Sequence, residues 1–321
     1  MSSEGKGMYL ALSGGVGGAK LALGLSHVLS PDTLRIVVNT GDDFEHLGLT
    51  ICPDLDTLLY TLSGLSSADA GWGRADETGT FMAALEQLGG DTWFFLGDGD
   101  LATHIERTRR LNAGQSLSQV TSELAAQLGI QVPITPMTDS SVRTVVDTPE
   151  GPMPFQNYFV REKCVPKALG FKFAGAADAI PHPEFTSALR NTNLAGVIIC
   201  PSNPFVSVDP ILSLPGIRNT LKEIDAPLIA VSPIVGGSAL KGPAAKMMGE
   251  LGLEASALTV ARHYGELLDG FVLDQVDSAL ANQVRGLGPE VVVTNTVMTT
   301  LDDRIELARE TVNFCNRLKN L

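Results

Sequence analysis

The residues best suited to chemistry in this chain lie in two short stretches near its beginning. The first, Leu12–Lys20, is rich in glycine and directly follows the apolar segment Tyr9–Leu12. The second, Asn39–Thr57, follows the next apolar segment and contains the aspartates Asp42, Asp43, Asp54 and Asp56. Glycines let backbone N–H groups approach phosphate oxygens closely. Carboxylates beside phosphates usually hold a hard divalent cation. The two stretches therefore predict a site for a phosphorylated ligand with Mg²⁺.

The glycine-rich turn is close to two known phosphate-binding loops but matches neither. A Walker A loop requires Gly-Lys before Ser or Thr, whereas Lys20 follows Ala19. The dinucleotide fingerprint requires a small residue at Lys20 and an acidic residue where Asn39 stands, which argues against a nicotinamide-dependent oxidoreductase. Glycine costs conformational entropy unless the backbone needs it, so this glycine density favours a ligand over a simple turn. The residues predicted to bind phosphate are Gly14, Gly15, Gly17, Gly18 and Lys20.

The aspartates after the second apolar segment suggest a metal site. The run Pro53–Thr57 is typical of a helix start, because proline and acidic residues both suit the first turn. This explains Asp54 but not all four aspartates. Asp54 and Asp56 point to different sides of a regular helix, so we expect one of them, with Asp56 favoured, to face the site with Asp43. Mg²⁺ needs only one or two protein carboxylates besides substrate phosphates, so Asp43 and Asp56 are the predicted metal ligands.

Loops after later strands could complete the site. Asp98 and His104 follow a predicted strand, and one of them is expected to contact the substrate. The alternatives are an ordinary turn at Asp98 and a surface helix cap at His104, and they are weighed equally with the substrate contact. Lys241 either reaches a phosphate or is solvated. Two loops made rigid by proline, Pro201–Pro204 (PSNP) and Ser232–Gly237 (SPIVGG), offer hydroxyl, amide and backbone donors that suit a nucleotide. The predicted nucleotide contacts in these loops are Ser202, Asn203, Pro204, Ser232, Gly236 and Gly237.

Aromatic residues are concentrated in two places, around Trp72 and around Phe155, although the chain is only 6% aromatic. A flat aromatic ligand would explain this density, and an ordinary small core would explain it as well.

The elements that must position these residues alternate between strands and helices. Strands are predicted at Tyr9–Leu12, Arg35–Asn39, Trp93–Leu96, Gly196–Cys200, Leu228–Val231, Phe271–Leu273 and Val291–Thr294. Helices are predicted near Ala19–Leu29, Asp54–Ser63, Thr78–Leu88, Leu101–Ala113, Ser116–Leu128 and Asp302–Leu318. Short extended pieces separated by turns are predicted at Val142–Asp147, Pro154–Val160 and Phe171–Gly175.

This alternation predicts an α/β fold, a Rossmann-like three-layer parallel sheet with a mixed α/β insertion in the middle of the chain. Residues 1–321 are expected to form a single α/β domain. Residues 140–180 are expected to form an inserted antiparallel or cap segment within it.

Composition limits the partners. The chain has 321 residues, 44% of them hydrophobic, which is enough for one large core. The net charge of −13 repels nucleic acids and anionic membranes. The cysteines lack C-x-x-C spacing, which disfavours structural zinc and fits free thiols. The first residues are too short and polar for a signal peptide, and no apolar run would span a bilayer. We expect a cytoplasmic protein and, from base rates, a homodimer.

A long ordered set of motifs runs along the chain: SGGVGGAK, NTGDD, CPDLDT, GWG, LGDGDLATH, PMTDSSVRT, FQNYFVRE, PSNP and SPIVGGSALKGPA. Together they resemble the 2-phospho-L-lactate transferase family of deazaflavin coenzyme biosynthesis. The resemblance runs from about Leu10 to the end of the chain. It implies a Mg²⁺-dependent enzyme that joins a phosphorylated three-carbon acid to the ribityl hydroxyl of 8-hydroxy-5-deazariboflavin. The implied donor is a guanosine diphosphate ester of that acid, and GMP leaves.

The resemblance also implies roles for individual residues. The PSNP and SPIVGG loops correspond to guanosine contacts, and the metal- and flavin-binding aspartates correspond to Asp43 and Asp56. The implied deazaflavin contacts are Asp56, Trp72, His104 and Phe155. A carboxylate, Asp43 or Asp98, would accept the proton of the attacking hydroxyl.

The chain departs from the family pattern at two positions. Gly99 stands where the family commonly has a larger residue, often arginine, and Gly79 stands where an aromatic residue is common. The acid therefore stays open among phospholactate, phosphoenolpyruvate and phosphoglycerate. The main alternative function is a regulatory protein of the same fold that binds nucleotide sugars, although the aspartates and the FQNYFVRE segment favour the enzyme.

Overall fold

Seven parallel strands form the central sheet of the computed structural model, which describes residues 7–67 and 73–320. The strands, in chain order, are β1 (Met8–Ser13), β2 (Leu34–Val38), β3 (Phe44–His46), β4 (Leu49–Ile51), β5 (Ile134–Pro136), β6 (Arg143–Thr148), β7 (Gly151–Pro154), β8 (Gly170–Ala174), β9 (Leu194–Ile199), β10 (Leu228–Val231), β11 (Ile234–Val235), β12 (Ser238–Ala239), β13 (Gly270–Asp274) and β14 (Glu290–Thr294). The central sheet has the order β14-β13-β10-β9-β1-β2-β5.

The α-helices lie between these strands. In chain order they are α1 (Gly15–Val28), α2 (Pro53–Leu62), α3 (Thr80–Gln87), α4 (Asp98–Asn112), α5 (Leu117–Gln127), α6 (Pro183–Leu189), α7 (Asp209–Leu212), α8 (Ile217–Glu223), α9 (Ala244–Glu250), α10 (Ala257–Tyr264), α11 (Ala281–Arg285) and α12 (Leu301–Lys319). Among the described residues, no helix is long and apolar enough to cross a membrane.

The core lies on both faces of the central sheet. In β1, Leu10 and Leu12 belong to one apolar cluster, whereas Tyr9 and Ala11 belong to a second. Successive side chains of a strand point to opposite faces, so both faces of this sheet are covered. Strands buried on both faces have nearly continuous apolar sequences, which is why they could be predicted. The predicted α/β fold with a parallel central sheet flanked by helices is confirmed.

The order of the strands places the candidate site. From β1 the chain moves outward through β2 to β5, and then returns to β9 on the other side of β1. Open α/β sheets bind ligands at such a switch point, beyond the carboxyl ends of the strands. The glycine turn follows β1, the aspartates follow β2, and the PSNP loop follows β9.

The middle segment contains an antiparallel sheet of order β7-β6-β8, within the predicted insertion 140–180. It touches the aspartate loop at two points. The backbone N–H of Thr144 donates to the Gly41 carbonyl at 2.6 Å. The side chain of Gln156 donates to the Asp42 carbonyl at 3.2 Å. The insertion therefore lies beside the predicted metal site.

Several predicted segments and boundaries were wrong, among them the start of α4, which lies at Asp98 instead of near Leu101. The segment Trp93–Leu96 is a loop, because Trp93 and Phe94 pack in an aromatic cluster with Phe44 instead of pairing in a sheet. The segment Pro154–Val160 is not extended, since β7 ends at Pro154 and a π-helical turn, Asn157–Arg161, follows. Its aromatic residues have helical spacing, with buried Phe155 and Tyr158 three positions apart.

The predicted start of the first helix was also wrong. α1 begins at Gly15 instead of near Ala19, so the glycine-rich turn is itself the first turn of this helix.

Candidate active site

The glycine turn packs against the PSNP loop and the first turn of α2. A Cβ atom at Gly17 would lie 2.1 Å from the Pro201 carbonyl oxygen, so only glycine fits there. Gly15 has a φ of +62°, which also favours glycine. The Gly14 N–H donates to the Ser202 hydroxyl at 3.2 Å. Close packing thus explains part of the glycine content that was attributed to ligand binding.

Asp54 occupies the anion-binding position at the start of α1. Its Oδ1 accepts the Gly15 N–H at 2.6 Å, and its Oδ2 accepts from the Asn39 amide at 2.9 Å. The Asn39 amide also donates to the Val206 carbonyl, and its oxygen accepts the Gly41 N–H. Asn39 therefore joins the glycine turn, the aspartate loop and the PSNP segment. In the sequence, Asn39 stands where the dinucleotide fingerprint has an acidic residue, and its role as a link between segments was not predicted.

Asp42, Asp43 and Asp54 form a buried acidic cluster at the end of β2. Burial raises the pKa of Asp43 to about 7 and that of Asp54 to about 6. Burial and the charges of Asp54 and Asp43 raise the pKa of Asp42 well above its usual range. The Oδ1 atom of Asp43 is buried with no hydrogen-bond partner within residues 7–67 and 73–320. Such a cluster requires protons or a cation.

The acidic cluster fits Mg²⁺ in chemistry. Within the described ranges, no three acidic, histidine or cysteine side chains already converge as a metal centre. Mg²⁺ does not need such a cage, because it keeps several waters and binds through one or two carboxylates and substrate phosphates. Within the described residues, Asp43 has a carboxylate oxygen without a partner for this purpose, and the charges of Asp54 and Asp43 both act on Asp42 in the acidic cluster.

Asp56 points to the other side of α2 and pairs with a buried arginine. Arg107, on α4, is 1% exposed and donates to both carboxylate oxygens of Asp56, with Nη1 3.0 Å from Oδ2. The Asp56 charge still acts on Asp43 and helps to raise its pKa. Asp54, not Asp56, therefore contacts the glycine turn. The metal and deazaflavin roles of Asp56 stay predictions. Arg107 lies in a polar helix, and no local pattern in the sequence indicated it.

His104 is part of the same buried network. Its Nδ1 lies 3.2 Å from Arg107 Nη1, and its Nε2 lies 3.1 Å from an oxygen of Asp100. The Tyr60 hydroxyl donates to the other oxygen of Asp100 at 2.5 Å. The interpretation of His104 as a surface cap was wrong, because the side chain is buried. Its predicted contact with the deazaflavin stays a prediction.

Asp98 caps the start of α3. Its carboxylate accepts the N–H groups of Thr80 and Phe81 at 3.2 and 3.0 Å and the hydroxyl of Thr78. These hydrogen bonds, first that from Thr78, lower the pKa of Asp98. A carboxylate stabilised in its charged form is a weaker proton acceptor, so Asp98 is poorly suited to that role.

The loops predicted to bind guanosine are tightly constrained. In the first loop, the Asn203 side chain accepts the Phe205 N–H at 3.0 Å, and Pro204 begins a π-helical turn, Pro204–Val208. In the second loop, the Ser232 hydroxyl donates to the Ile234 carbonyl at 2.8 Å. The Gly236 N–H donates to Asp277 at 3.0 Å, and Gly236 and Gly237 both have positive φ. The Asp277 contact fixes the second loop and was not predicted.

Positive charges gather near the start of α1. Lys20 donates to the Met298 carbonyl at 3.0 Å. Burial and the nearby charges of Arg304 and Lys241 lower the pKa of Lys20. The Nε of Arg304 is buried and has no hydrogen-bond partner in the part of the chain that the structure describes. This arrangement suits an anionic ligand, and Arg304 was missed because it lies at the far end of the sequence.

The aromatic predictions have mixed outcomes. Phe155 is buried and stacks on Phe159, with ring centroids 5.5 Å apart. Trp72 lies outside the described residues. A further cluster of Phe44, His46, Trp93 and Phe94, with the Arg161 guanidinium over Trp93, was not predicted.

Known proteins of similar sequence carry transferase names. A "Phosphoenolpyruvate transferase" of Streptomyces griseus is 38% identical over 97% of this chain and 99% of its own. A "2-phospho-L-lactate transferase" of Methanococcoides burtonii is 40% identical over 95% of this chain and 98% of its own.

Two further comparisons concern the fold and the family. A crystal structure of a UPF0052-family protein from Bacillus halodurans has a TM-score of 0.63 and 15% identity, covers 96% of this chain and 99% of its own, and shows the same fold. The family model described as "2-phospho-L-lactate transferase CofD" matches residues 10–311. The chain therefore belongs to the 2-phospho-L-lactate transferase CofD family.

Proposed function

We propose that this protein is a Mg²⁺-dependent transferase that forms a phosphodiester. It moves a phosphorylated three-carbon acid from a guanosine diphosphate ester to the ribityl hydroxyl of 8-hydroxy-5-deazariboflavin and releases GMP. The observation that carries the proposal is the buried acidic cluster of Asp42, Asp43 and Asp54 against the glycine turn. The transferase names of relatives that align with nearly the whole chain support it. These names differ in the acid, so they do not choose it.

The donor would lie along the carboxyl ends of β1, β9 and β10. The turn at Gly14–Gly18 and the PSNP loop form one wall, and the SPIVGG loop carries further donors. Lys20 and Arg304 would face the phosphates, because both are partly buried cations near each other. An anion bound to both would offset the electrostatic repulsion between the two cations.

Mg²⁺ would be held by Asp43 through its free Oδ1, with Asp42 and Asp54 adding charge. When bound, it would offset negative charge on the phosphate oxygens. Both oxygens of Asp56 accept from Arg107, so Asp56 would join only through its remaining lone pairs. GMP is a stable leaving group, so charge neutralisation and in-line positioning are the demanding parts of the reaction. The proton of the ribityl hydroxyl would pass to Asp43 or to water.

The test is the release of GMP by purified protein. GMP should form from the guanosine diphosphate ester only when the deazaflavin alcohol and Mg²⁺ are both present. The D43N variant should lose this activity, and the D98N variant should keep it if Asp98 is only a helix cap. Binding of a uridine nucleotide sugar in preference to guanosine nucleotides, without GMP release, would favour the regulatory alternative.

A further inference from the structure

The Arg74 guanidinium lies beside the buried network, on the segment that precedes α3. The Cζ of Arg74 lies 5.6 Å from the centroid of the Tyr60 ring, and its Nε lies 3.6 Å from a Glu77 oxygen. The Glu77 carboxylate accepts the N–H groups of Gly99 and Asp100, both at 2.7 Å, and so bonds to α4. Within residues 7–67 and 73–320, the Arg74 side chain makes the ion pair with Glu77 and donates no hydrogen bond.

Arg74 is nevertheless held in one place. Its side chain is 28% exposed, and it is fixed by the Tyr60 ring and the Glu77 charge. An arginine that is already positioned loses little conformational entropy when its N–H groups donate to a ligand oxygen.

Gly99 provides the space for this guanidinium. A Cβ atom at Gly99 would lie 3.2 Å from Arg74 Nε, 3.3 Å from Arg74 Cζ and 3.0 Å from Glu77 Oε1. A larger side chain at position 99 would compete with Arg74 for the same volume. Arg74 therefore brings its positive charge to the volume that a side chain at position 99 would fill.

Arg74 lies on the side of the acidic cluster that faces away from the glycine turn. Asp54 contacts the turn, whereas Asp56 and Tyr60, four positions apart on α2, face α4. In an in-line displacement the attacking and leaving oxygens lie on opposite sides of the phosphorus. If GMP leaves on the side of the glycine turn, the acceptor must approach from the side of Tyr60 and Arg74.

We propose that Arg74 is a specificity-determining residue that binds the heterocyclic ring of the acceptor. This inference rests on the proposed transferase function. A guanidinium on an aromatic face suits a planar ring system with carbonyl or anionic oxygens at its edge, because it can stack and donate hydrogen bonds. Gly99 leaves room for Arg74 and Glu77 here, because even a Cβ atom at position 99 would press on both side chains.

The first experiment measures acceptor binding by the fluorescence of 8-hydroxy-5-deazariboflavin, without turnover. The R74A variant should bind the acceptor about 10- to 100-fold more weakly, which is the usual effect of losing a charged hydrogen bond. The KM for the donor should stay within about twofold. The R74K variant should fall between the two, since it keeps the charge but not the fork. R109A is the matched control, because Arg109 is an exposed arginine of α4.

The second experiment places an arginine at position 99, next to the space that the Arg74 side chain fills. G99R alone should weaken acceptor binding by crowding Arg74 and Glu77. The double variant R74A/G99R should bind the acceptor better than R74A, because the new side chain can use the vacated space. Unchanged acceptor affinity in a folded R74A variant, or a change only in the KM for the donor, would overturn the assignment of Arg74 and would leave the proposed transferase function intact. No acceptor binding by the unaltered protein would overturn the proposed function as well.

Discussion

Replacement of Asp43 by asparagine should stabilise the metal-free protein at neutral pH. Burial raises the pKa of Asp43 from 3.8 to about 7, so the folded state holds a proton that the unfolded state has lost. The free energy of unfolding therefore falls as the pH rises from about 4 to about 7. At about 1.4 kcal/mol for each pKa unit, the full difference is about 4 kcal/mol. This is an upper limit, because Asp42 and Asp54 share the titration.

Urea unfolding of both proteins at several pH values, with a chelator, measures this effect. The stability difference between D43N and the unaltered protein should be near zero at pH 4 and should grow in favour of D43N up to pH 7.5. Excess Mg²⁺ should then stabilise the unaltered protein by roughly 3 kcal/mol at a hundredfold excess over Kd, and D43N much less. A D43N variant that is less stable at pH 7.5 without metal would refute the reasoning.

D98N is the matched control for the pH dependence. Hydrogen bonds lower the pKa of Asp98, so its contribution to stability is present at neutral pH and is lost as the pH falls. The D98N variant should therefore lose stability at neutral pH, in the direction opposite to D43N. Equal behaviour of the two variants would show that burial does not distinguish the two carboxylates.

Two further changes test the packing around the site. R107A should lower the free energy of unfolding by about 3–5 kcal/mol in urea titrations, because it leaves Asp56 buried without its partner, and a loss below about 1 kcal/mol would contradict the buried pair. G17A should destabilise the protein by about 1–3 kcal/mol through its clash with the Pro201 carbonyl, as measured by thermal unfolding. The control G249A, which meets nothing within 4 Å, should be neutral or slightly stabilising.

Strands buried on both faces were predictable, but short edge elements were not. β10 has the predicted bounds, because Leu228–Val231 is buried on both sides and ends at proline-containing loops. β5 was missed, since Ile134–Pro136 is a three-residue edge strand that contains proline. Trp93–Leu96 was mistaken for a strand because side-chain packing in an aromatic cluster gives the same apolar run as a sheet.

The location of the site was predictable, but the pairing of its charges was not. The glycine turn and the aspartates follow neighbouring strands, and that proximity could be derived from the sequence. Asp54 pairs with Asn39 and Gly15, and Asp56 pairs with Arg107. These pairs depend on contacts between distant segments. Local spacing contains no information on such contacts.

Mass spectrometry of the transfer product tests the central claim most directly. The protein is incubated with Mg²⁺, 8-hydroxy-5-deazariboflavin and one of three guanosine diphosphate donors, which carry lactate, enolpyruvate or glycerate. We expect a phosphodiester of the deazaflavin alcohol with at least one donor, together with an equal amount of GMP, and the mass of the product names the acid. The absence of product with all three donors, in a protein shown to bind guanosine nucleotides, would contradict the proposed function.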